Sequence, residues 1–256
     1  MIEFDNITRT YGNKVAVDGL ALTVHPGELF ALLGPNGAGK TTTVKMLVGL
    51  LRPTAGAVRV CGADLASQTR EACGFVGYVP DEPFLYEKLT GREFLQFAAE
   101  MRGLDRATVE QRIERETRQF DLSGFLDGLI ETYSHGMRQR VVFASALLHD
   151  PAVLVIDEPM VGLDPRSVRI VKDLLRVRAA AGTTVFMSTH TLAVAEEIAD
   201  RIGIVDHGRL HFLGSVAELR EKRASKQASL ERLFLDLIDG NNGRPADAPS
   251  QPPCQQ

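Results

Sequence analysis

The chain is predicted to adopt an α/β fold of the phosphate-loop type. It has a mainly parallel sheet flanked by helices, an N-terminal antiparallel β subdomain and an inserted all-helical subdomain. Three observations predict this. A short apolar run, Leu29–Leu33, leads straight into a glycine-rich loop and then into a helical pattern. From Val153 onward, short apolar runs alternate with helical periodicity, the pattern of a parallel sheet with helices on both faces. Between those regions, residues 90–150 show helical periodicity alone.

Each element has a local reason. Residues 1–25 alternate short apolar stretches with Gly and Asn turns, which predicts a small antiparallel sheet. Leu29–Leu33 reads as a buried strand, and Thr42–Leu51, with Val44, Leu47, Val48 and Leu51 at helical spacing, as the helix after the loop. Ala57–Cys61 reads as a hairpin or edge strand. In the helical block Thr90 and Glu93 have capping-box spacing. Helices are predicted over Phe94–Met101 and Val109–Phe120, broken at Gly103 and Gly124, and from near Ser134 through Leu148. Val153–Ile156 is a buried strand. Asp164 and Pro165 suit the N-cap and first residue of a helix ending near Gly182. Thr184–Ser188 is the next strand, Thr191–Ala199 a helix, and Ile202–Asp206 with Arg209–Leu213 a hairpin around His207-Gly208. Short helices follow near Ser215–Arg223 and Ser229–Leu237. The domain is expected over 1–220, with its helical subdomain at about 84–150, then a C-terminal helical extension at 221–239. Residues 240–256 hold almost nothing apolar, which predicts a disordered tail.

Residues 34–41, Gly-Pro-Asn-Gly-Ala-Gly-Lys-Thr, carry the chemistry. The spacing G-x-x-x-x-G-K-[ST] suits a triphosphate: glycines let successive backbone N–H groups converge on phosphate oxygens. Lys40 can reach the β- and γ-phosphates, and the Thr41 hydroxyl can ligate Mg²⁺. The helix after the loop aims its positive end at the same anion. A second signal is Val153-Leu154-Val155-Ile156-Asp157-Glu158, a buried strand ending in two carboxylates. Strand ends of parallel sheets are where ligands sit. There Asp157 can hold Mg²⁺ through water and Glu158 can polarise an attacking water.

Bulk properties exclude other classes. Of the 256 residues 44% are hydrophobic and 24% charged, an ordinary globular composition with a core to bury. A net charge of −4 gives no bias toward nucleic acid or anionic lipid. The longest apolar run, Val141–Leu148, is too short to span a bilayer, and Glu3 and Asp5 interrupt any signal-peptide start. Cys61, Cys73 and Cys254 form no CxxC pair and are expected to be reduced, as in a cytosolic protein.

Tyr133-Ser134-His135-Gly136-Met137-Arg138-Gln139-Arg140, whose Ser134 stands twenty-three residues ahead of Asp157, resembles the signature of ATP-binding cassette (ABC) ATPases, usually Leu-Ser-Gly-Gly-Gln. The resemblance covers residues 1–220. Residues 34–42 match the Walker A loop and 153–158 the Walker B strand. Tyr11 matches the aromatic that stacks on adenine, Gly162-Leu163-Asp164 the D-loop, and Ser188-Thr189-His190 the switch histidine. Taken singly, Tyr11 reads equally as a surface aromatic and Asp164 as a helix cap; their order and spacing carry the match. The Tyr-Ser-x-Gly-Met signature, the Gly-Leu-Asp-Pro D-loop and Ser229-Leu230-Glu231-Arg232-Leu233-Phe234 resemble the type-two exporter class.

The resemblance implies a P-loop ATPase that uses ATP and Mg²⁺ and drives a separate transmembrane permease, in the direction of export. Its partner would be a second cassette, as a homodimer, and not nucleic acid. It would sit in the cytoplasm, peripheral on the inner face of the membrane through the permease. Gly34, Pro35, Asn36, Gly37, Ala38, Gly39, Lys40, Thr41 and Thr42 would bind the triphosphate held by one copy. Ser134, His135, Gly136 and Met137 would bind the triphosphate held by the other. Glu158 would be the general base, His190 would hold the γ-phosphate and water, and Thr41 and Asp157 would serve Mg²⁺. The stretch Asp81, Pro83, Phe84, Leu85 and Tyr86 falls where that family receives the permease's coupling helix, and reads equally as ordinary packing of the helical subdomain. A soluble ABC ATPase acting on nucleic acid or ribosomes, or a degenerate cassette that binds without hydrolysing, are the alternatives.

Two departures stand out. Asp81 occupies the usual place of a Gln that faces Mg²⁺ and the water, adding a catalytic and metal-facing carboxylate that is shorter and charged. His135 stands where glycine is usual. With helical φ its Cβ is tolerated, whereas positive φ would strain it. It is either an inert surface residue or, when protonated, a reinforcement of the ATP sandwich.

Overall fold

The computed structural model describes residues 1–160 and 163–222, together with 232, 234 and 235. The chain runs β1 (Ile2–Tyr11), β2 (Lys14–Val24), β3 (Leu29–Leu33), α1 (Lys40–Leu47), β4 (Ala55–Val60), β5 (Ala63–Asp64), α2 (Thr69–Gly74) and β6 (Val76–Val79). Helices α3 (Gly91–Met101), α4 (Arg106–Gln119) and α5 (His135–Leu147) follow, with a 3₁₀ turn at Ile130–Thr132. Then come β7 (Val153–Asp157), α6 (Pro165–Ala180), β8 (Thr184–Thr189), α7 (Leu192–Ile198), β9 (Arg201–Asp206), β10 (Arg209–Gly214) and α8 (Val216–Lys222).

Strand alternation explains the layering. All five residues of β3 are buried, because the strand is covered on both faces. Leu29, Ala31 and Leu33 enter a core shared with the helices, while Phe30 and Leu32 enter a second core shared with α1 and the N-terminal strands. β3 lies inside a six-stranded sheet of order β10-β9-β3-β8-β7-β6, parallel except for the edge strand β10. The second sheet, β2-β1-β4-β5, is antiparallel throughout. Phe186 of β8 joins the two: its ring lies 5.5 Å from that of Phe30 and 5.9 Å from that of Phe4.

The helical subdomain is set by its caps. Thr90 and Glu93 form the capping box that starts α3. Asp105 caps α4 through the Thr108 N–H, and Ser134 caps α5 through the Met137 N–H. On α4, Glu116 is fully buried and held at 2.6 Å by Arg115 and at 3.2 Å by Arg178 of α6, an ion pair between the subdomain and the main body.

Several boundaries move for physical reasons. The helix expected over Thr42–Leu51 is Lys40–Leu47, because Gly49 adopts φ 76° and ends it in the left-handed region. The strand near Ala57–Cys61 begins at Ala55 and joins the N-terminal sheet as its third strand. Helix α2 has six residues and no side-chain cap, so it leaves little sequence signal. The β9–β10 turn has positive φ at both His207 and Gly208, a type I′ geometry. The expectations for most of 221–239, for the tail at 240–256 and for Gly162 fall outside the described residues.

Removing the Phe186 ring leaves a cavity where the two sheets meet. The Phe186→Ala variant is expected to lose about 3–5 kcal/mol of stability in a denaturant titration; a loss below about 1 kcal/mol would show that the two layers do not depend on this contact.

Candidate nucleotide site

The loop between β3 and α1 is shaped by two glycines with no space beside them. A Cβ on Gly34 would lie 2.4 Å from the Val205 carbonyl oxygen, and one on Gly39 the same distance from that of Ala16. Gly39 also has φ 103°, which L side chains rarely adopt. The Gly208 N–H donates to the Ala38 carbonyl at 3.0 Å, so the β9–β10 turn pins the loop from behind. Lys40, buried at the first position of α1, folds back and donates to the Gly34 and Pro35 carbonyls at 2.8 and 3.2 Å.

The acids stand opposite. Asp157 ends β7, is only 2% exposed and accepts a short hydrogen bond from the Ser188 hydroxyl of β8. Glu158 follows with φ 50°, a left-handed backbone unusual for its residue type. Its N–H donates to the Ser188 carbonyl at 3.0 Å. Its Oε1 lies 3.7 Å from Lys40 Nζ and 2.9 Å from His190 Nδ1, and its Oε2 accepts from the His190 N–H at 3.3 Å. One carboxylate therefore touches both the phosphate-loop lysine and the histidine at the end of β8.

Lys40, Glu158 and His190 border a cavity of about 580 Å³, the size of a nucleotide pocket, while Asp157 is buried behind it and is not among the lining residues. Tyr11, Asn36, Gly37, Gly39, Lys40, Thr41, Thr42, Asp81, Glu158 and His190 line it. Gly34 and Ala38 are buried beneath the loop. Lys14 and Ala16 also line the cavity and escaped sequence reasoning; the pairing of Tyr11 with Lys14 across the β1–β2 turn is the signal that could have found Lys14. Ser134, His135, Gly136 and Met137 lie elsewhere. They open α5 beside Asp164, whose carboxylate a Cβ on Gly136 would meet at 3.6 Å, and Met137 borders a separate cavity of about 540 Å³. His135 is the first residue of α5 and is not among the positive-φ residues, so its Cβ is tolerated.

Asp81 feels its neighbours. Burial first, then Asp157, Glu158 and Glu82, push its carboxyl above the usual aspartate range, while His190 pulls it down. Tyr78 is pushed up to about 12 by burial and by the same two aspartates. Among the described residues no group of three or more His, Cys, Asp or Glu side chains forms a metal cage. Thr41, Asp157 and Asp81 nevertheless supply the hard oxygens that fit Mg²⁺, which is commonly held by one or two carboxylates together with substrate phosphates.

A separate surface carries exposed aromatic rings. Phe84 is 78% exposed, Tyr86 48% and Phe97 41%, and their rings meet edge to face at 5.8 and 5.6 Å through Tyr86. Within this stretch the two readings divide: Leu85 packs into the core, while Phe84 and Tyr86 stay exposed.

Fold and site together define a phosphate-loop nucleoside triphosphatase. The chain belongs to the ABC transporter family, whose model matches residues 17–161. It is an ATP-binding, ATP-hydrolysing subunit of that family. A second model, of an AAA domain described as a putative AbiEii toxin, Type IV TA system, matches the shorter stretch 129–196. The daunorubicin/doxorubicin resistance ATP-binding protein DrrA of Streptomyces peucetius is 39% identical over 88% of this chain and 68% of its own length. A solved ATP-binding subunit of an ABC transporter superposes with a TM-score of 0.87 at 34% identity, covering 93% of this chain and 99% of that one. A dimeric bacterial ABC transporter cassette gives 0.77 at 25% identity, covering 84% and 99%. No helix among the described residues is long and apolar enough to cross a membrane.

The raised Asp81 carboxyl has a consequence for stability. An acid whose folded pKa lies above its unfolded one weakens the fold when ionised, and that penalty fades as pH falls through the raised value. In nucleotide- and Mg²⁺-free buffer, Asp81→Asn is expected to melt above the wild type at neutral pH, with the gap closing at acid pH. An equal melting temperature at neutral pH, or a gap that widens on acidification, would contradict this.

Proposed function

We infer that two copies of this cassette close on two ATP molecules and drive the export of a substrate through a separate permease. The observation that carries the reading is the separation of the two half-sites. The loop cavity holds Lys40, Glu158 and His190, whereas the Ser134–Gly136 helix start lies beside Asp164, bordering none of that cavity. A second copy, facing the first, would bring its helix start to the triphosphate, where the helix dipole, the Ser134 hydroxyl and the Gly136 N–H favour an anion. The dimeric cassette among the solved relatives supports this arrangement.

Each residue then has a task. Tyr11 offers its ring to the adenine. The loop amides of residues 36–42 take the phosphate oxygens, and Lys40 exchanges its carbonyl and Glu158 contacts for the triphosphate. That exchange frees Glu158 to take a proton from the attacking water, which His190 holds in line with the γ-phosphate. Thr41, Asp157 and Asp81 would hold Mg²⁺, which, when bound, neutralises charge on the phosphates. Asp164 lies beside the signature helix and would relay closure from one site to the other.

The permease would dock on Phe84, Tyr86 and Phe97, because a cluster of exposed rings marks an interaction surface. Such docking would hold the cassette at the cytoplasmic face of a membrane through its partner. Export, not import, fits a relative whose name records drug resistance. Net charge −4 gives no support to a nucleic-acid partner.

Glu158→Gln is expected to lower the ATPase rate about 10²–10⁴-fold and to accumulate an ATP-bound dimer by size-exclusion chromatography. Wild-type turnover in that variant would remove Glu158 from the role of general base. Phe84→Asp is expected to lose the permease when the tagged protein is purified from detergent-solubilised membranes. Undiminished co-purification, or ribosomes or DNA in that fraction, would overturn the docking assignment.

A further inference from the structure

We propose that Arg9 is a positioning residue for the nucleotide base, holding the Tyr11 ring as the middle layer of a guanidinium–phenol–purine stack. The proposal rests on the reading that Tyr11 receives the base.

Tyr11 ends β1 and is 46% exposed, so on its own the ring would be ordered only when a ligand arrives. The Arg9 guanidinium carbon lies 4.8 Å from the ring centroid, within cation–π range, and occupies one face. The ring lines the 580 Å³ cavity beside Lys40, and Arg9 is not among the residues lining it, which leaves the cavity side of the ring for a base.

Arg9 is itself anchored. Its Nη1 donates to the Arg52 carbonyl at 3.0 Å. Beside it the Thr10 N–H donates to the Thr54 hydroxyl at 3.1 Å, and the Thr54 N–H to the Thr8 carbonyl at 2.7 Å. Residues 52–54 follow α1, whose N-terminus is the phosphate loop. The base and the triphosphate are held by different elements, the β1 end and the loop. The Arg9–Arg52 and Thr10–Thr54 contacts fix the distance between them. A ring held in place before binding loses less freedom on binding, so the stack raises affinity by pre-organisation as well as by attraction.

The test compares two probes, ATP and inorganic tripolyphosphate, by calorimetry on the Glu158→Gln background. Tripolyphosphate uses the loop and lacks a base. Arg9→Ala is expected to weaken ATP about two- to fivefold, leave tripolyphosphate unchanged, and add nothing to Tyr11→Ala in the double variant. Arg9→Gln keeps a donor toward the Arg52 carbonyl and removes the charge; it is expected to show the same loss, with Arg9→Lys in between. Equal loss of both probes would make Arg9 a support of the loop and overturn the proposal. Unchanged ATP affinity in Arg9→Ala alongside a weakened Tyr11→Ala would overturn it too. If Tyr11→Ala binds ATP as the wild type does, the stacking reading itself fails and takes Arg9 with it.

Discussion

The close approach of the phosphate loop to its neighbours governs the rest of the structure. Gly34 presses on the Val205 carbonyl of β9 and Gly39 on the Ala16 carbonyl of β2, with no room for a side chain at either place. The loop is thereby wedged between the parallel sheet and the antiparallel one. Those two sheets share a core in which Phe186, Phe30 and Phe4 meet. The position of the loop is thus a consequence of how the layers pack. Its backbone donors are in place before any ligand arrives, which is how an electrostatic site avoids reorganisation cost.

Charge arrangement follows from the same frame. Parallel register sets Asp157 beside Ser188 and places Glu158 against His190 at the carboxyl end of the sheet. Lys40 rises from α1 toward them. In this arrangement Lys40 is satisfied by two loop carbonyls and by Glu158. A triphosphate offers it a stronger partner, because hydrogen bonds between ionised groups exceed those to neutral carbonyls. Asp81 adds a further acid to this end of the site, and the rise of its carboxyl records the crowding.

Much of this was legible in the sequence. The loop, the strand ending in Asp157-Glu158, the helical block and the Asp164-Pro165 helix start all carry local signals: spacing, apolar runs and caps. A helix starting near Ser134 was legible too, but the conformation of His135 was not: it follows from the Ser134 cap, which makes His135 the first residue of α5. What escaped depends on pairing between distant segments. Lys14 and Ala16 reach the cavity only because β1 and β2 form a hairpin over the loop. Leu85 and Phe84 are alike in sequence, yet one is buried and the other exposed, since which side faces the subdomain is decided by tertiary packing. Gly49 marks the end of α1 in hindsight, but an apolar run through Leu51 masks it. Helix α2 is too short and too poorly capped to announce itself.

The central claim is that each catalytic site is shared between two copies, and a mixing experiment tests it directly. Lys40→Ala disables the loop half, and Ser134→Arg disables the signature half. Each variant alone should be inactive in ATP hydrolysis, because every site in its dimer carries one broken half. A mixed dimer would contain one site with both halves intact, so activity is predicted to reappear when the two inactive proteins are combined. Continued inactivity of the mixture, or full activity of Ser134→Arg on its own, would contradict a shared site.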